Sequence, residues 1–267
     1  MSLTIDLEGR KALVTGVSGG VGAGIARRLL DAGCEIVGCA RSKPETDGVN
    51  QFLSAGDGRA HYLECDVTDG ERIEATVAEA ATLLGGLDLV VSNAGVNVFT
   101  GVSDCSEEDW QHNLDLNLAS HWRLARAARP YLDQSPHTAS FIVITSNHAF
   151  STIAGCFPYN LAKTALTGLV RSLALEWGPK IRCVGVAPGF IKTEGNRKWF
   201  ESFPDPAAER ARTEAAHPAG RLGTPEEVGA LCAFLASEHG AFFTGTTILQ
   251  DGGRSAVMQD DNPFENS

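Results

Sequence analysis

The sequence predicts an α/β protein, a single domain built on a doubly wound sheet of about seven parallel strands with helices on both faces. Seven near-continuous apolar runs closed by turn residues recur along the 267 residues. Such runs are typical of strands buried on both sides. Segments with helical periodicity separate them, and this alternation indicates parallel strands joined by right-handed crossovers.

The predicted strands follow one another along the whole chain. They cover residues 11–16, 35–40, 61–67, 87–95, 140–146, 181–189 and 246–253. The first helix is predicted over GIARRLLDAG, because Ile25, Leu29 and Leu30 share one face while the two arginines point away from it. Gly33 predicts the end of this helix.

We assign residues 1–254 to this one domain, because no repeat, linker or low-complexity segment divides the chain. Two segments fall outside the alternation of strands and helices. Residues 190–217 form a long insertion after a strand end, which is typical of a lid or substrate loop. Residues 255–267 form a polar C-terminal tail.

Composition excludes several classes of function. The chain has 43% hydrophobic and 21% charged residues, enough to bury a full core, and its formal net charge of −11 argues against nucleic acid or an anionic membrane as a partner. There is no signal-peptide pattern and no apolar run of roughly 20 residues, so we expect a cytoplasmic protein. Seven cysteines without a C-x-x-C pair predict neither a disulfide framework nor a metal site.

A glycine-rich turn, TGVSGGVG, joins the first strand to the first helix. Glycine permits a tight turn there and lets backbone N–H groups approach a pyrophosphate at the positive end of the helix. A plain glycine turn is the alternative, and the strand-then-helix context argues against it. The candidate cofactor contacts in this turn are Gly16, Ser18, Gly20, Val21 and Gly22.

The ends of the third and fourth predicted strands add further candidate residues for binding the ligand whose pyrophosphate would lie at the glycine-rich turn. Asp66, followed by Val67, could accept a hydrogen bond from an adenine amino group. Asn93, Ala94 and Gly95 would let the backbone turn close to a ribose. Because open α/β sheets bind ligands at the carboxyl ends of their strands, these signals together indicate a dinucleotide.

The end of the second strand bears on which dinucleotide binds. An acidic residue there would bind the ribose diol of NAD, but this chain has Ala40, followed by Arg41, which could pair with a 2′-phosphate. NADP is therefore favoured. NAD stays open, because Arg41 could also be a solvated surface side chain and Gly19 offers no second cation in the turn.

The segment YNLAK, residues 159–163, places Tyr159 and Lys163 on one face of a predicted helix, and Ser146 closes the fifth strand upstream. A phenol near pKa 10 is a poor proton-transfer group at neutral pH, and an adjacent ammonium is expected to lower that pKa. Ser146 would then hold the substrate oxygen while Tyr159 moves its proton and a nicotinamide exchanges hydride with the carbon.

In their order, these motifs resemble those of the classical short-chain dehydrogenases/reductases. The resemblance covers about residues 7–254 and is carried by TGVSGGVG, SNAG, the asparagine of LDLNLAS, Ser146, YNLAK, APGFIKT, GRLGTPEEV and FFTGTTILQDGG. It implies a seven-stranded Rossmann sheet and usually a tetramer, so we expect a homotetramer or homodimer. Ser92 stands where the family more often has asparagine, and Val184 where it often has a structural asparagine. Both departures concern positions that support the structure and not the residues that carry the reaction.

The resemblance also implies roles for particular residues. The catalytic tetrad would be Asn117, Ser146, Tyr159 and Lys163, with Asn117 supporting a water-mediated proton relay and Lys163 also holding the nicotinamide ribose. The nicotinamide end would be lined by Pro188, Gly189, Ile191 and Thr193.

The residues around the tyrosine predict a small-molecule substrate. His148 could hydrogen-bond a hydroxyl-rich substrate, and the family's bacterial glucose dehydrogenases look similar there; a packed or solvated histidine is the alternative. We therefore expect a sugar, polyol or other small polar secondary alcohol, interconverted with its ketone or lactone. The predicted pocket is completed by Cys156, Phe157, residues 96–99 and the insertion at 190–217.

Two other functions stay open on the sequence alone. The same architecture serves 3-oxoacyl thioester reductases, which act on substrates held by an acyl carrier protein. Arg197, Lys198, Arg210 and Arg212 could form a basic rim for such a carrier, although acidic residues are interspersed among them. A non-catalytic dinucleotide sensor would not need the tyrosine and lysine that this chain retains.

Overall fold

The computed structural model of the chain describes residues 4–258, so residues 259–267 of the predicted tail lie outside it. Its sheet has seven parallel strands in the order β3-β2-β1-β4-β5-β6-β7. This is the Rossmann topology that the sequence predicts. The strands are β1 (Lys11–Thr15), β2 (Glu35–Ala40), β3 (Ala60–Glu64), β4 (Leu89–Ser92), β5 (Ala139–Ile144), β6 (Ile181–Pro188) and β7 (Thr247–Gln250).

Nine α-helices accompany the sheet within the described residues. They are α1 (Gly20–Asp31), α2 (Asp47–Ala55), α3 (Gly70–Leu84), α4 (Glu107–Leu114), α5 (Ser120–Leu132), α6 (Tyr159–Trp177), α7 (Glu194–Glu201), α8 (Pro206–Ala215) and α9 (Pro225–Ala236). A π-helical turn, Asp115–Ala119, joins α4 to α5. Short 3₁₀ helices lie at Asn147–Ala149, Glu238–Gly240 and Arg254–Ala256.

Helices cover both faces of the sheet, as predicted. The apolar stripes of α3, α5 and α6 pack on one face, where Phe141 of β5 is fully buried. Those of α1, α2 and α9 pack on the other. On α1 the predicted face is confirmed, because Ile25, Leu29 and Leu30 are buried while both arginines are exposed. Burial of this apolar area is the main stabilising contribution.

Strands β3, β4 and β7 each end three residues earlier than their apolar runs predict. At β3 and β4, polar side chains bind the backbone there. After β3, the Asp66 carboxylate accepts hydrogen bonds from the N–H and hydroxyl of Thr68, at 2.9 and 2.8 Å, which closes a turn. After β4, the N–H groups of Asn93 and Ala94 both donate to the Thr15 hydroxyl at 2.9 Å. Both turns lie at the carboxyl edge of the sheet.

Residues 190–217, predicted as a substrate loop, contain the two helices α7 and α8. The Thr193 hydroxyl caps α7 by accepting from the N–H of Asn196, and the Asp205 carboxylate caps α8 by accepting from Ala207 and Ala208. We refer to residues 190–217 as the lid segment.

No helix of residues 4–258 is both long and apolar enough to cross a membrane. Over the same range, no group of three or more His, Cys, Asp or Glu side chains is placed to hold a metal ion. The seven cysteines are free thiols.

Candidate active site

A cleft of about 1340 Å³ lies at the carboxyl ends of the strands, across the switch point between β1 and β4. Open α/β sheets bind their ligands at this place. The predicted site residues that line it are Gly16, Ser18, Gly20, Val21, Gly22, Arg41, Val67, Asn93, Ala94, Gly95, Ser146, His148, Tyr159, Lys163, Pro188, Gly189, Ile191 and Thr193.

Four predicted residues do not border the cleft. Asp66 lies between two residues that do, and Asn117 is fully buried behind the cleft wall. Cys156 is buried, and Phe157 stacks on Trp110 with ring centroids 5.6 Å apart. Neither Cys156 nor Phe157 borders the cleft, and their contact with substrate stays a prediction.

The glycine-rich turn fits a pyrophosphate. Helix α1 has no side-chain cap on its first N–H groups, and these groups lie at the cleft. A Cβ at Gly22 would lie 2.1 Å from the Gly16 carbonyl oxygen, so only glycine lets turn and helix pack this closely. The uncapped N–H groups suit phosphate oxygens.

The end of β2 presents positive charge and hydroxyls to the cleft. Arg41 is exposed and lines the cleft, and the Ser42 hydroxyl donates to the Ser18 hydroxyl at 3.0 Å. The single O–H of Tyr62 lies between the carbonyl oxygens of Ala40 and Ser42, at 3.0 and 2.6 Å, and fixes this segment by donating to them. Burial disfavours the charged form of Asp66, but hydrogen bonds from Thr68 and the charge of Arg41 outweigh it and lower the pKa of Asp66.

Thr15 is a supporting residue that the sequence analysis missed. Its hydroxyl accepts from Asn93 and Ala94, while its carbonyl oxygen accepts from the Asn93 side chain at 2.8 Å. These bonds fix the end of β4 against the end of β1. Ser92 has a buried partner, because its hydroxyl lies 2.7 Å from Nδ1 of the buried His121.

Asn117 lies in the π-helical turn, where an extra residue in the helix re-aims the side chain. Its amide forms two hydrogen bonds with the backbone of Val96, accepting at 3.1 Å and donating at 2.9 Å. It also donates to Asn113 Oδ1 at 2.9 Å, and Asn113 donates to the Pro158 carbonyl oxygen at 3.1 Å. Asn113, also missed from the sequence, thereby links Asn117 to the residue before Tyr159.

Tyr159 is the first residue of α6, where the helix dipole favours negative charge. Its ring meets Phe99 edge to face, with centroids 5.4 Å apart. Ser146 is near enough to the Tyr159 hydroxyl to favour its charged form, and the Ser146 oxygen accepts a hydrogen bond from the N–H of His148 at 3.2 Å. Tyrosine and serine oxygens are therefore close enough to contact one substrate oxygen.

Lys163 lies beneath this pair, on the same face of α6 as predicted. Its Nζ is 5.6 Å from the centre of the Tyr159 ring and donates to the Ile144 carbonyl oxygen at 3.1 Å. Burial lowers the pKa of Lys163 to about 7. Burial also raises the pKa of Tyr159 to about 12, outweighing the opposite effect of the nearby Ser146. The sequence predicted a lowered pKa for Tyr159, but the structure gives a raised one. The reason is that burial disfavours both the tyrosine anion and the lysine cation.

His148 borders the cleft beside Tyr159, with their ring centroids 6.0 Å apart. Its Nδ1 lies 3.0 Å from the Thr152 hydroxyl. Burial lowers the pKa of His148, so the ring is neutral at pH 7 and one nitrogen can donate while the other accepts.

Comparison with known proteins agrees with this geometry. A family profile described as enoyl-(acyl carrier protein) reductase matches residues 16–255. Dehydrogenase/reductase SDR family member 4 of Homo sapiens is 36% identical over 250 residues, covering 92% of this chain and 88% of that protein. A 3-oxoacyl-[acyl-carrier-protein] reductase of Vibrio cholerae is 34% identical over 250 residues, covering 93% and 98%.

A solved structure shares the whole fold. The aldohexose dehydrogenase of Thermoplasma acidophilum, determined in ligand-free form, superposes with a TM-score of 0.88 at 30% sequence identity. The match covers 98% of this chain and 100% of that one.

Proposed function

The chain belongs to the classical short-chain dehydrogenase/reductase family, enzymes that act on CH–OH groups, and on that premise we propose its substrate and cofactor. It interconverts a secondary alcohol and a ketone or lactone by hydride transfer, on a sugar, polyol or other small polar substrate. The observation that carries this proposal is the meeting of Tyr159, Ser146 and His148 at one point of the cleft wall.

Each side chain has a defined task in the proposed reaction. Ser146 holds the substrate oxygen, and Tyr159 gives a proton to it during reduction or takes one during oxidation. Lys163 binds the nicotinamide ribose, and its amine stabilises the tyrosine anion when charged. Asn117 is tied to the Val96 backbone and supports the proton relay. The nicotinamide, when bound, supplies or accepts the hydride.

The experiment that tests this proposal is a panel of sugars, polyols, simple secondary alcohols and ketones, assayed in parallel with NAD(H) and NADP(H). We expect turnover of polyhydroxylated substrates above that of simple alcohols of similar size. The structural similarity to an aldohexose dehydrogenase supports this order. Turnover confined to apolar alcohols would contradict it.

We propose NADP as the preferred cofactor, because Arg41 and the Ser18–Ser42 hydroxyl pair border the cleft at the end of β2, where Ala40 offers no carboxylate. Replacing Arg41 with alanine should raise the KM for NADP(H) by about tenfold or more, since a charge-assisted hydrogen bond contributes roughly 1.5–3 kcal/mol. The KM for NAD(H) should change little. Both are measured by steady-state kinetics with one substrate.

Lys43 provides the matched control for Arg41. It is a cation two residues further on, but it is held by Glu64 at 2.9 Å. A Lys43→Ala enzyme should keep its KM for NADP(H). If Arg41→Ala raised the KM for both cofactors equally, the 2′-phosphate assignment would be wrong.

His148 is proposed to bind a substrate hydroxyl. His148→Ala should raise the KM for sugars about tenfold while kcat falls much less, because the tetrad stays in place. His148→Phe tests the hydrogen bond separately, since it keeps a ring against Tyr159 and Phe99. The exposed His137 serves as the control position. An unchanged KM in both variants would remove His148 from the substrate site.

The alternative is reduction of a 3-oxoacyl group on a carrier protein, which the similarity to the 3-oxoacyl-[acyl-carrier-protein] reductase of Vibrio cholerae favours. An acidic carrier needs unpaired positive charge near the cleft. In the lid segment, however, Arg197 pairs with Glu194 and Glu201, Arg210 with Glu214, and Arg212 with Glu209. These pairs weaken the predicted basic rim, so the small polar substrate is preferred.

A homotetramer or homodimer is the proposed assembly. Leu175 and Phe242 are 86% and 103% exposed, and the loop at Gly245 packs against α6 near Ala174. Exposed apolar groups of this kind mark protein contacts. Light scattering should therefore give two or four times the chain mass of 28.2 kDa, and a value near one chain mass would exclude both.

A further inference from the structure

Four aromatic side chains of the lid segment form one cluster. The Trp199 ring lies 4.7 Å from that of Phe203, 5.1 Å from Phe200 and 5.4 Å from Phe190, measured between centroids. Phe200 is 7% exposed and anchors the cluster, whereas Trp199 remains 38% exposed and borders the cleft. A large flat side chain held by three others is a preorganised binding surface.

Neutral polar side chains accompany this surface. Asn196, one helical turn before Trp199, borders the cleft and is oriented by its donation to the Ile191 carbonyl oxygen at 2.7 Å. His148 and Thr152 also border the cleft, hydrogen-bonded to each other. The wall thus combines a flat apolar surface with groups that donate and accept hydrogen bonds.

The charges on helix α7 do not favour an ionic ligand. Arg197 is bound by Glu194 and Glu201, three and four residues away on its own helix. These ion pairs within one helix already neutralise the charge of the Arg197 guanidinium. The other cation of α7, Lys198, is exposed but does not border the cleft. The part of the helix that faces the cleft at Asn196 and Trp199 therefore presents hydrogen-bonding and stacking surface.

We propose that Trp199 stacks on the ring of a cyclic sugar, so that the enzyme acts on the ring-closed form of a polyhydroxylated substrate. This inference rests on the proposed function and narrows its substrate class. A pyranose or its lactone has a face of C–H groups that buries apolar area against the indole, and a rim of hydroxyls for the polar side chains. An open-chain polyol has the same hydroxyls but no flat face, and it loses more conformational freedom on binding.

The experiment compares aldopyranoses with their matching alditols, for example glucose with glucitol, in the wild-type enzyme, Trp199→Leu and Trp199→Phe. We expect the wild type to prefer the ring-closed sugars. Trp199→Leu should raise the KM for the best aldopyranose about tenfold with kcat changed less than about threefold, and should leave the KM for alditols unchanged. Trp199→Phe should keep most of the affinity, because it keeps a flat ring.

Tryptophan fluorescence gives a readout that does not depend on turnover. A saturating aldopyranose should change the emission of the wild type and of the control Trp122→Leu, which removes an exposed tryptophan from α5. It should not change the emission of Trp199→Phe.

Three results would overturn the inference. They are an equal effect of Trp199→Leu on pyranoses and alditols, an unchanged KM for pyranoses in that variant, and turnover of other alcohols with no turnover of any ring-closed sugar. Failure of the proposed function is distinguishable, since it would appear as no alcohol or ketone turnover at all, or as full activity without the Tyr159 hydroxyl.

Discussion

Replacing Tyr159 with phenylalanine should lower kcat/KM by about three orders of magnitude, within the range that general acid–base catalysis contributes. The change removes the hydroxyl near Ser146 and keeps the ring with its edge contact to Phe99 at 5.4 Å. The fold and the cofactor affinity should therefore stay close to those of the wild type. Steady-state kinetics in both directions measure kcat/KM, thermal unfolding measures the stability of the fold, and a titration with NADPH measures the cofactor affinity.

Tyr131 is the matched control for this substitution. It lies on α5, away from the cleft lining, so Tyr131→Phe should leave kcat/KM unchanged. Full activity in Tyr159→Phe would mean that another group moves the proton, and the proposed mechanism would then be wrong.

The sequence predicted the fold closely because buried parallel strands leave a strong signal. All seven apolar runs correspond to strands, and the predicted face of α1 is the buried one. The ends of β3, β4 and β7 were predicted three residues too late. After β3 and β4, hydrogen bonds accepted by the Asp66 carboxylate and the Thr15 hydroxyl turn the chain. The lid helices were missed because each is short, eight and ten residues, and largely polar.

Site residues that belong to short sequence motifs could be predicted from the sequence. Residues that act through contacts with distant parts of the chain could not. Ser146, Tyr159 and Lys163 meet in the cleft as predicted. Asn113 supports them through a bond to Pro158, 45 positions away, and Thr15 through bonds to residues 78 and 79 positions away. No spacing within one element indicates such pairs.

The direction of the Tyr159 pKa shift also could not be predicted from the spacing of residues along the chain. Spacing alone placed an ammonium beside a phenol, which predicts a lowered phenol pKa. Burial of both groups reverses this in the protein alone, since it disfavours each charge. Tyr159 is thus protonated at neutral pH, the form needed to donate a proton during reduction, and the oxidation rate should increase with pH.

Replacing Lys163 with methionine should reduce kcat/KM by about two orders of magnitude or more and should also change how stability depends on pH. Methionine removes the buried amine beside the Tyr159 ring, along with its bond to the Ile144 carbonyl oxygen. The buried ammonium opposes folding, so the variant should gain most in stability relative to the wild type at pH 7 and below. In a domain of this size each kcal/mol corresponds to about 2–4 °C in Tm.

The sign of the pH dependence follows from the Lys163 pKa, which is lowered from 10.5 to about 7 by burial. Between these values the unfolded wild-type chain holds a proton that the folded protein does not. Its free energy of unfolding therefore rises with pH across this window, and the advantage of Lys163→Met should shrink towards pH 10. Melting curves from pH 6 to 10 measure this difference.

Lys180 is the control, because it is an exposed lysine just beyond α6. The melting curves of Lys180→Met show what the loss of an exposed lysine does over the same pH range. If Lys163→Met differed from the wild type by a constant amount, the Lys163 amine would titrate as in the unfolded chain. The charge that supports the tyrosine anion would then be present at neutral pH without help from the cofactor. A shrinking difference would instead mean that burial lowers the pKa of Lys163, so that the amine loses its charge as the pH rises through about 7.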